Sequence, residues 1–397
     1  MRERYIFFFI LGVDTFILLF QTSQLSISYA EAKLLYGDPS FLQYIIRFSL
    51  DIFGQNDFGL RFVMILFHLL SAVLMYEIST EYIKTVRNRL WVLVIFVLLP
   101  GVVSAAVIVN SAGVLLFGLL LFIYLQKNIQ QKYLNVLLFT YAFVDISFAY
   151  LFLALSIYYI FQGKRKLFIY MLGLYSLTSY FYGFEISGFP TGYFLDTIGV
   201  YSAIFTPIIF IYLSYALYRR YFSSQRDIIW CISTVVLLLS LLLSFRQKLP
   251  LEHFAPYLIL ALPLAAQTFI SSYRVRLKQY RTKYRFAFVL SFVLLALNTL
   301  IVFFNQELYK VLEKPSQHFA YDSNIAKDLA ALLKKRGVNC VSTERKMQLR
   351  LKFYSISKCK KHYLQEMPIR SSHKTNVTIS YKNRVLYRGN VTKINNL

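Results

Sequence analysis

Charge is what this 397-residue chain has least of. Only 16% of its residues are Asp, Glu, Lys or Arg, against about 25% in an ordinary soluble domain. Acids are scarcer still, 19 against 43 Lys and Arg. Within the apolar stretches the main ionisable side chains are Asp14, His68 and Asp145. Ionisable groups are costly in a bilayer and mark ion paths where they gather, so this poverty argues against a charge-relay transporter. No 20–50-residue repeat and no low-complexity linker is visible, which removes solenoids and disordered arrays. Cysteine is sparse, with three in all and no metal-type Cys/His spacing. We therefore expect no metal and no cofactor. Cys231 lies in an apolar stretch, whereas Cys340 and Cys359 share the C-terminal part and can pair in an oxidising compartment.

What is present is apolar surface: 57% hydrophobic residues, 18% aromatic. Apolar stretches fall at 5–24, 58–77, 90–109, 112–126, 133–145, 147–161, 167–183, 197–218, 228–245, 254–272 and 285–304. Many approach the ~20 residues that cross a bilayer. They predict an all-α polytopic membrane protein with about eleven transmembrane helices. The short fifth and sixth form a hairpin around Val144-Asp145. The first stretch has no small-residue cleavage site and reads as a retained helix.

A net charge of +24 would point to nucleic acid in a soluble protein. Position removes that reading. With the N-terminus cytoplasmic, the inside loops collect Arg2, Arg4, Lys84, Arg87, Arg89, Lys127, Lys132, Lys164–Lys166, Arg219, Arg220, Arg226 and the cluster from Arg274 to Arg285. The outside loops hold only Lys33, Arg47, Arg61, Arg246 and Lys248. This is a positive-inside bias, with the bilayer as the partner of the basic clusters.

Composition shifts near residue 305, where Lys, Arg, Asn and Ser rise. Residues 1–304 are expected to form the membrane domain, with outer-face loops 25–57, 184–196 and 245–253. Residues 305–397 are expected to form a small soluble α/β domain; an odd number of spans puts it on the outer face, and long translocated domains largely escape the charge rule. Its pattern gives a helix in "DSNIAKDLAALLKKRGV", capped by Asp322 or Ser323 and stopped by Gly337. A strand follows in "VNCVS", then a helical run with Met347, Leu349, Leu351 and Phe353. "NVTISY" and "RVLYRGNV" read as a hairpin about Lys382-Asn383.

The polar groups of the membrane domain concentrate in the outer loops. The first carries Glu31, Lys33, Asp38, Arg47, Asp51, Asp57 and Arg61; the second, Glu185 and Asp196; the third, Arg246, Lys248, Glu252 and His253. Arg and Lys bind phosphate by charge and fork geometry, and a carboxylate can deprotonate an attacking hydroxyl or amine. "FLQYIIRFSLDIFG" places Phe41, Ile45, Phe48 and Ile52 on one side of a helix that suits the membrane interface.

These residues resemble a known family. "YAEAKLLYGDPSFLQYIIRFSLDIFGQNDFGLRF", with Phe53-Gly54 and Phe58-Gly59-Leu60-Arg61, is similar to the first outer loop of the GT-C class of polyprenyl-phosphate-sugar-dependent glycosyltransferases. That superfamily contains protein O-mannosyltransferases and bacterial aminoarabinose transferases. "RQKLPLEHFAPYLILALPLA" resembles its Lys-Leu-Pro segment, and "FPTGYFLDTIGVYSAIFTPIIF" resembles divergent bacterial members. The resemblance implies sugar transfer from a polyprenyl-phosphate donor to a glycan, lipid or protein acceptor at the outer face of a bacterial inner membrane. It implies Glu31 or Asp38 as the catalytic acid, and Arg246, Lys248, His253 and Arg61 as ligands of the donor phosphate. Asp196 and Glu185 are further loop acids. One departure stands out: Ala30 occupies the place of the family's first acid. A non-catalytic relative that binds lipid-linked glycans, and a lipid or solute transporter, are the alternatives.

Overall fold

A computed structural model covers residues 2–183, 192–223, 226–310, 312, 315–367, 376–382 and 384–393. Every apolar stretch named above is helical over most of its length. The chain begins with α1 (Arg2–Gln24), then two helices of the first loop, α2 (Tyr29–Tyr36) and α3 (Phe41–Phe53), and then α4 (Asp57–Tyr82). α5 (Val86–Leu98) and α6 (Pro100–Val107) lead to α7 (Ser111–Asn128), α8 (Gln131–Tyr141), α9 (Phe148–Phe161) and α10 (Arg165–Tyr182). Next come α11 (Phe194–Phe205), α12 (Pro207–Phe222), α13 (Ile228–Ser244), α14 (Ala255–Ile259), α15 (Leu262–Val275) and α16 (Lys278–Phe303).

By length and composition five of these spans suffice to cross a membrane: α1, α4, α7, α14 with α15, and α16. Two more qualify as bent pairs, α5–α6 at 58° and α11–α12 at 103°. α9 and α13 are shorter apolar helices. Proline explains both bends. Pro100 and Pro207 lack the N–H that would continue the preceding helix, and each forces its predecessor out of helical geometry. Thr206 takes φ +68°, a region costly for a β-branched residue. At Gly101 the approach of α6 to α11 leaves no room for a Cβ, which would strike the Ile204 side chain.

The chain divides into two compact units: Met1–Phe16 with Met64–Thr299, and Ile17–Val63 with Leu300–Leu397. The first loop thus groups with the C-terminal residues. The core of the helical unit is apolar, built around Leu93, Phe96, Leu119, Phe122, Phe152, Tyr201 and Leu264. Asp14 and His68 meet inside it, Nε2 to Oδ2 at 2.7 Å, both buried. Each intramembrane polar group thereby finds its partner in the other.

The C-terminal residues form the expected helices, α17 (Ala326–Lys335) and α18 (Arg345–Phe353), burying Ile325, Leu329, Leu333, Met347, Leu351 and Phe353. α17 starts later than its expected caps: Asp322 and Ser323 sit in a 3-10 turn instead. Three antiparallel strands, β1 (His362–Glu366), β2 (Val377–Tyr381) and β3 (Arg384–Lys393), form a sheet in the order β1-β3-β2. The β2–β3 pairing confirms the hairpin, with Tyr381 opposite Arg384; Asn383 lies outside the described residues. "VNCVS" forms only isolated bridges, Cys340 to Ser357 and Ser342 to Tyr363. The strand that replaces it, "HYLQE", is polar except for Tyr363 and the buried Leu364, so periodicity did not reveal it. His318 is buried here. Its Nδ1 accepts from the Ala320 N–H at 3.0 Å and its Nε2 therefore donates to the Asn305 carbonyl at 2.7 Å. Burial holds this imidazole below its ordinary pKa.

Candidate functional site

The first loop is built around one ion pair. Ser28 caps α2 by accepting from the Glu31 N–H, while the Glu31 carboxylate accepts from the Ser28 N–H at 2.8 Å, a reciprocal capping box. Arg61, in the second turn of α4, grips both Glu31 oxygens at 3.0 and 3.2 Å. Its remaining donors reach the Leu25 and Ser26 carbonyls at 3.0 and 2.9 Å. Both side chains are 0% exposed. In this arrangement each side chain is occupied by the other, so neither presents a free charge at the surface.

Asp38 is exposed, in the turn that follows α2. Gly37 precedes it because a Cβ there would run into the Lys33 carbonyl. The polar residues of α3 finish α2: Gln43 Nε2 donates to the Leu34, Leu35 and Gly37 carbonyls, and Arg47 donates to Leu35. α3 buries Leu42, Gln43, Ile46 and Ser49, and exposes Phe41, Tyr44, Phe48 and Ile52. That outward apolar face fits an interfacial helix. Asp57 is bound from the C-terminal domain, by the Tyr354 hydroxyl at 2.6 Å and by Lys327 at 2.9 Å. The same hydroxyl accepts from the Ile27 N–H at 3.0 Å. Burial first, then the Asp57 charge, push the Tyr354 phenol well above its usual pKa.

The helical unit carries a second cluster, which the sequence did not show as one. His253, in a 3-10 turn at Leu251–His253, meets Asp145 and Ser147 from the α8–α9 turn and Ser111 from the start of α7. Ser147 Oγ touches both Asp145 Oδ1 and His253 Nδ1; the Asp145–His253 distance is 3.7 Å. Asp145 also accepts from the Ser147 N–H at 2.8 Å, and Tyr257 donates to the Ser147 carbonyl at 2.7 Å. The chemistry of the set orders the protons. A carboxylate only accepts, so the Ser147 hydroxyl donates to Asp145 and the His253 Nδ1–H donates to Ser147. Asp145 and His253 retain 26% and 18% exposure.

Arg246 and Lys248, a few residues before His253, are exposed, with no carboxylate bound to either among the described residues. Asp196 is exposed in the first turn of α11. The Tyr193 N–H to the Ser244 carbonyl at 2.9 Å and a 4.8 Å stack of Phe194 on Phe245 pin that turn to the end of α13. Glu185 lies outside the described residues. Cys340 and Cys359 form a disulfide. His362 joins them, the three ligand atoms lying within 4.8 Å of one another. In the disulfide form both sulfurs are already bonded to each other.

No protein-family model matches the chain, and no curated protein matches it. Its fold is similar to that in the crystal structure of ArnT from Cupriavidus metallidurans in the apo state. The TM-score is 0.58 and the identity 12%, over 96% of this chain and 96% of that one. At that identity the likeness is one of fold.

Proposed function

We propose that this chain transfers a sugar from a polyprenyl-phosphate donor to an acceptor at the outer face of a bacterial inner membrane, with its N-terminus cytoplasmic and its C-terminal domain periplasmic. The observation that carries the reading is the segment Arg246–His253. Two exposed cations without carboxylate partners stand a few residues from an imidazole backed by Ser147 and Asp145. Arg246 and Lys248 would neutralise the donor phosphate. His253 Nε2 would take the proton of the acceptor hydroxyl or amine, with Asp145 stabilising the imidazolium through Ser147. The acceptor attacks the anomeric carbon, the carbon–oxygen bond to phosphate breaks, and its electron pair leaves with the polyprenyl phosphate. Asp38, the exposed acid of the first loop, remains the candidate carried over from the family.

A second reading, a non-catalytic relative that binds lipid-linked glycans, is favoured by Ala30 and by the burial of Glu31. One experiment separates the two. Purified protein in lipid is given a panel of radiolabelled polyprenyl-phosphate sugars, beside His253→Gln, Asp145→Asn, Asp38→Asn and Lys248→Ala. Transfer lost in His253→Gln and Asp145→Asn supports the enzyme with this base; loss in Asp38→Asn alone moves the base to the first loop. Donor binding without transfer, weakened by Lys248→Ala, selects the second reading. Neither binding nor transfer across the panel sinks both.

A further inference from the structure

A cavity of ≈ 630 Å³ opens on the flank of the helical unit, between α5, α12, α15 and α16. That volume is in the range of sites that hold organic ligands, roughly 300–1,000 Å³. Its walls are apolar, and Trp91 sets its edge against Phe288 and Phe292 there, with centroids at 5.5 and 5.3 Å. One end is different. Arg87 near the start of α5, Arg274 at the end of α15 and Arg285 in α16 converge on it, all exposed. No carboxylate pairs with any of the three among the described residues. Arg285 donates to the Tyr273 hydroxyl at 3.3 Å, and Tyr273 and Tyr284 also line this end.

The length of the groove fits one leaflet. Its lining on α15 runs from Leu262 to Arg274, a rise of about 18 Å along a helix. Half of a hydrocarbon core of ~30 Å is about 15 Å. An apolar slot of that depth, ending in a fork of unpaired guanidinium groups and tyrosine hydroxyls, matches a chain with a phosphate at its head. Basic pockets between membrane helices bind anionic lipid heads in this manner, and guanidinium groups suit phosphate because they present paired N–H donors.

We propose that this groove is a binding site for an anionic phospholipid, one acyl chain lying against Trp91, Phe269 and Phe292 and the phosphate held by Arg87, Arg274 and Arg285. It is separate from the cluster around His253. That residue precedes the Ala255–Val275 span and Arg274 lies at its far end, so the proposal stands whether or not the chain transfers sugar.

The two tryptophans of the chain make a direct test. Trp230→Phe leaves Trp91 as the sole tryptophan, inside the groove. The variant is reconstituted in phosphatidylcholine vesicles containing brominated phosphatidylglycerol or, at equal mole fraction, brominated phosphatidylcholine, and its emission is recorded. The anionic quencher should show an apparent association about tenfold or more above the zwitterionic one, given roughly 1 kcal/mol per nearby basic residue. Unlabelled phosphatidylglycerol should restore the emission and unlabelled phosphatidylcholine should not. Adding Arg87→Gln, Arg274→Gln and Arg285→Gln should erase the preference. Equal quenching by both lipids in the Trp230→Phe protein overturns the proposal without recourse to the triple variant. A preference that survives the three substitutions overturns the role given to the arginines.

Discussion

Two carboxylates, each next to a base, behave as opposites in this molecule. Glu31 and Arg61 are both 0% exposed, and the guanidinium is spent on that carboxylate and two carbonyls. Asp145 and His253 are a quarter and a fifth exposed, and a serine hydroxyl stands between them. The first pair is architecture: desolvated charges hold the end of α1, the cap of α2 and the start of α4 together. The second keeps part of both side chains exposed. Acid–base adjacency alone therefore does not identify chemistry; accessibility separates the two.

Four tests, taken from the largest expected effect to the smallest, probe this contrast. Arg61→Ala should be the most damaging, because it strands a buried carboxylate, at a cost of about 3–5 kcal/mol. A collapse in thermal stability in detergent is expected, with Arg61→Leu/Glu31→Leu recovering most of it; an unchanged melting temperature in Arg61→Ala would refute the architectural role. Tyr354→Phe removes the hydroxyl that joins Asp57 to Ile27 and should cost about 1.5–3 kcal/mol, as for hydrogen bonds to charged groups. The same melting assay reads it.

The third is a pH effect. His318 is held neutral in the fold, so its folded pKa lies below the unfolded value of about 6.5. The unfolded chain then binds the extra proton. Stability from this site is complete above that value and declines as pH falls through it towards the lowered folded pKa. His318→Gln should flatten the decline in a denaturation series; an equal slope in both proteins would exclude this histidine as its source. Least of all should Asp145→Asn and Lys248→Ala alter stability, within about 1 kcal/mol for a part-exposed pair or a free surface charge. If transfer is observed, both should reduce it while the melting temperature holds. A large fall in stability from Asp145→Asn would make the second pair architectural too.

Much of the fold was legible because membrane burial writes long apolar runs into sequence, and amphipathic helices write period-3.6 patterns. The eleven stretches, α3, α17, α18 and the β2–β3 hairpin all follow from such local signals. The disulfide was open to expectation because both cysteines lie in the same C-terminal stretch, nineteen residues apart. Partnership was not legible. Nothing local to Asp145 indicates His253, more than a hundred residues on, and nothing near Asp57 indicates Tyr354. Glu31 and Arg61 were both singled out, but as reactive groups. Only burial, which depends on the whole fold, shows that each is occupied by the other.

Residues Ile17–Val63 and Leu300–Leu397 form one compact unit, although residues 64–299 lie between them in the chain. At a translation rate of about 5–20 residues per second, residues 64–299 take roughly 10–50 s to emerge. For that interval α2 and α3 can complete the contacts within their own segment, Glu31 with Arg61 and Gln43 with the end of α2. Asp57 and Ile27 must wait for Tyr354. The first loop is thus assembled in two instalments, and its last hydrogen bonds wait on a residue made some three hundred positions later.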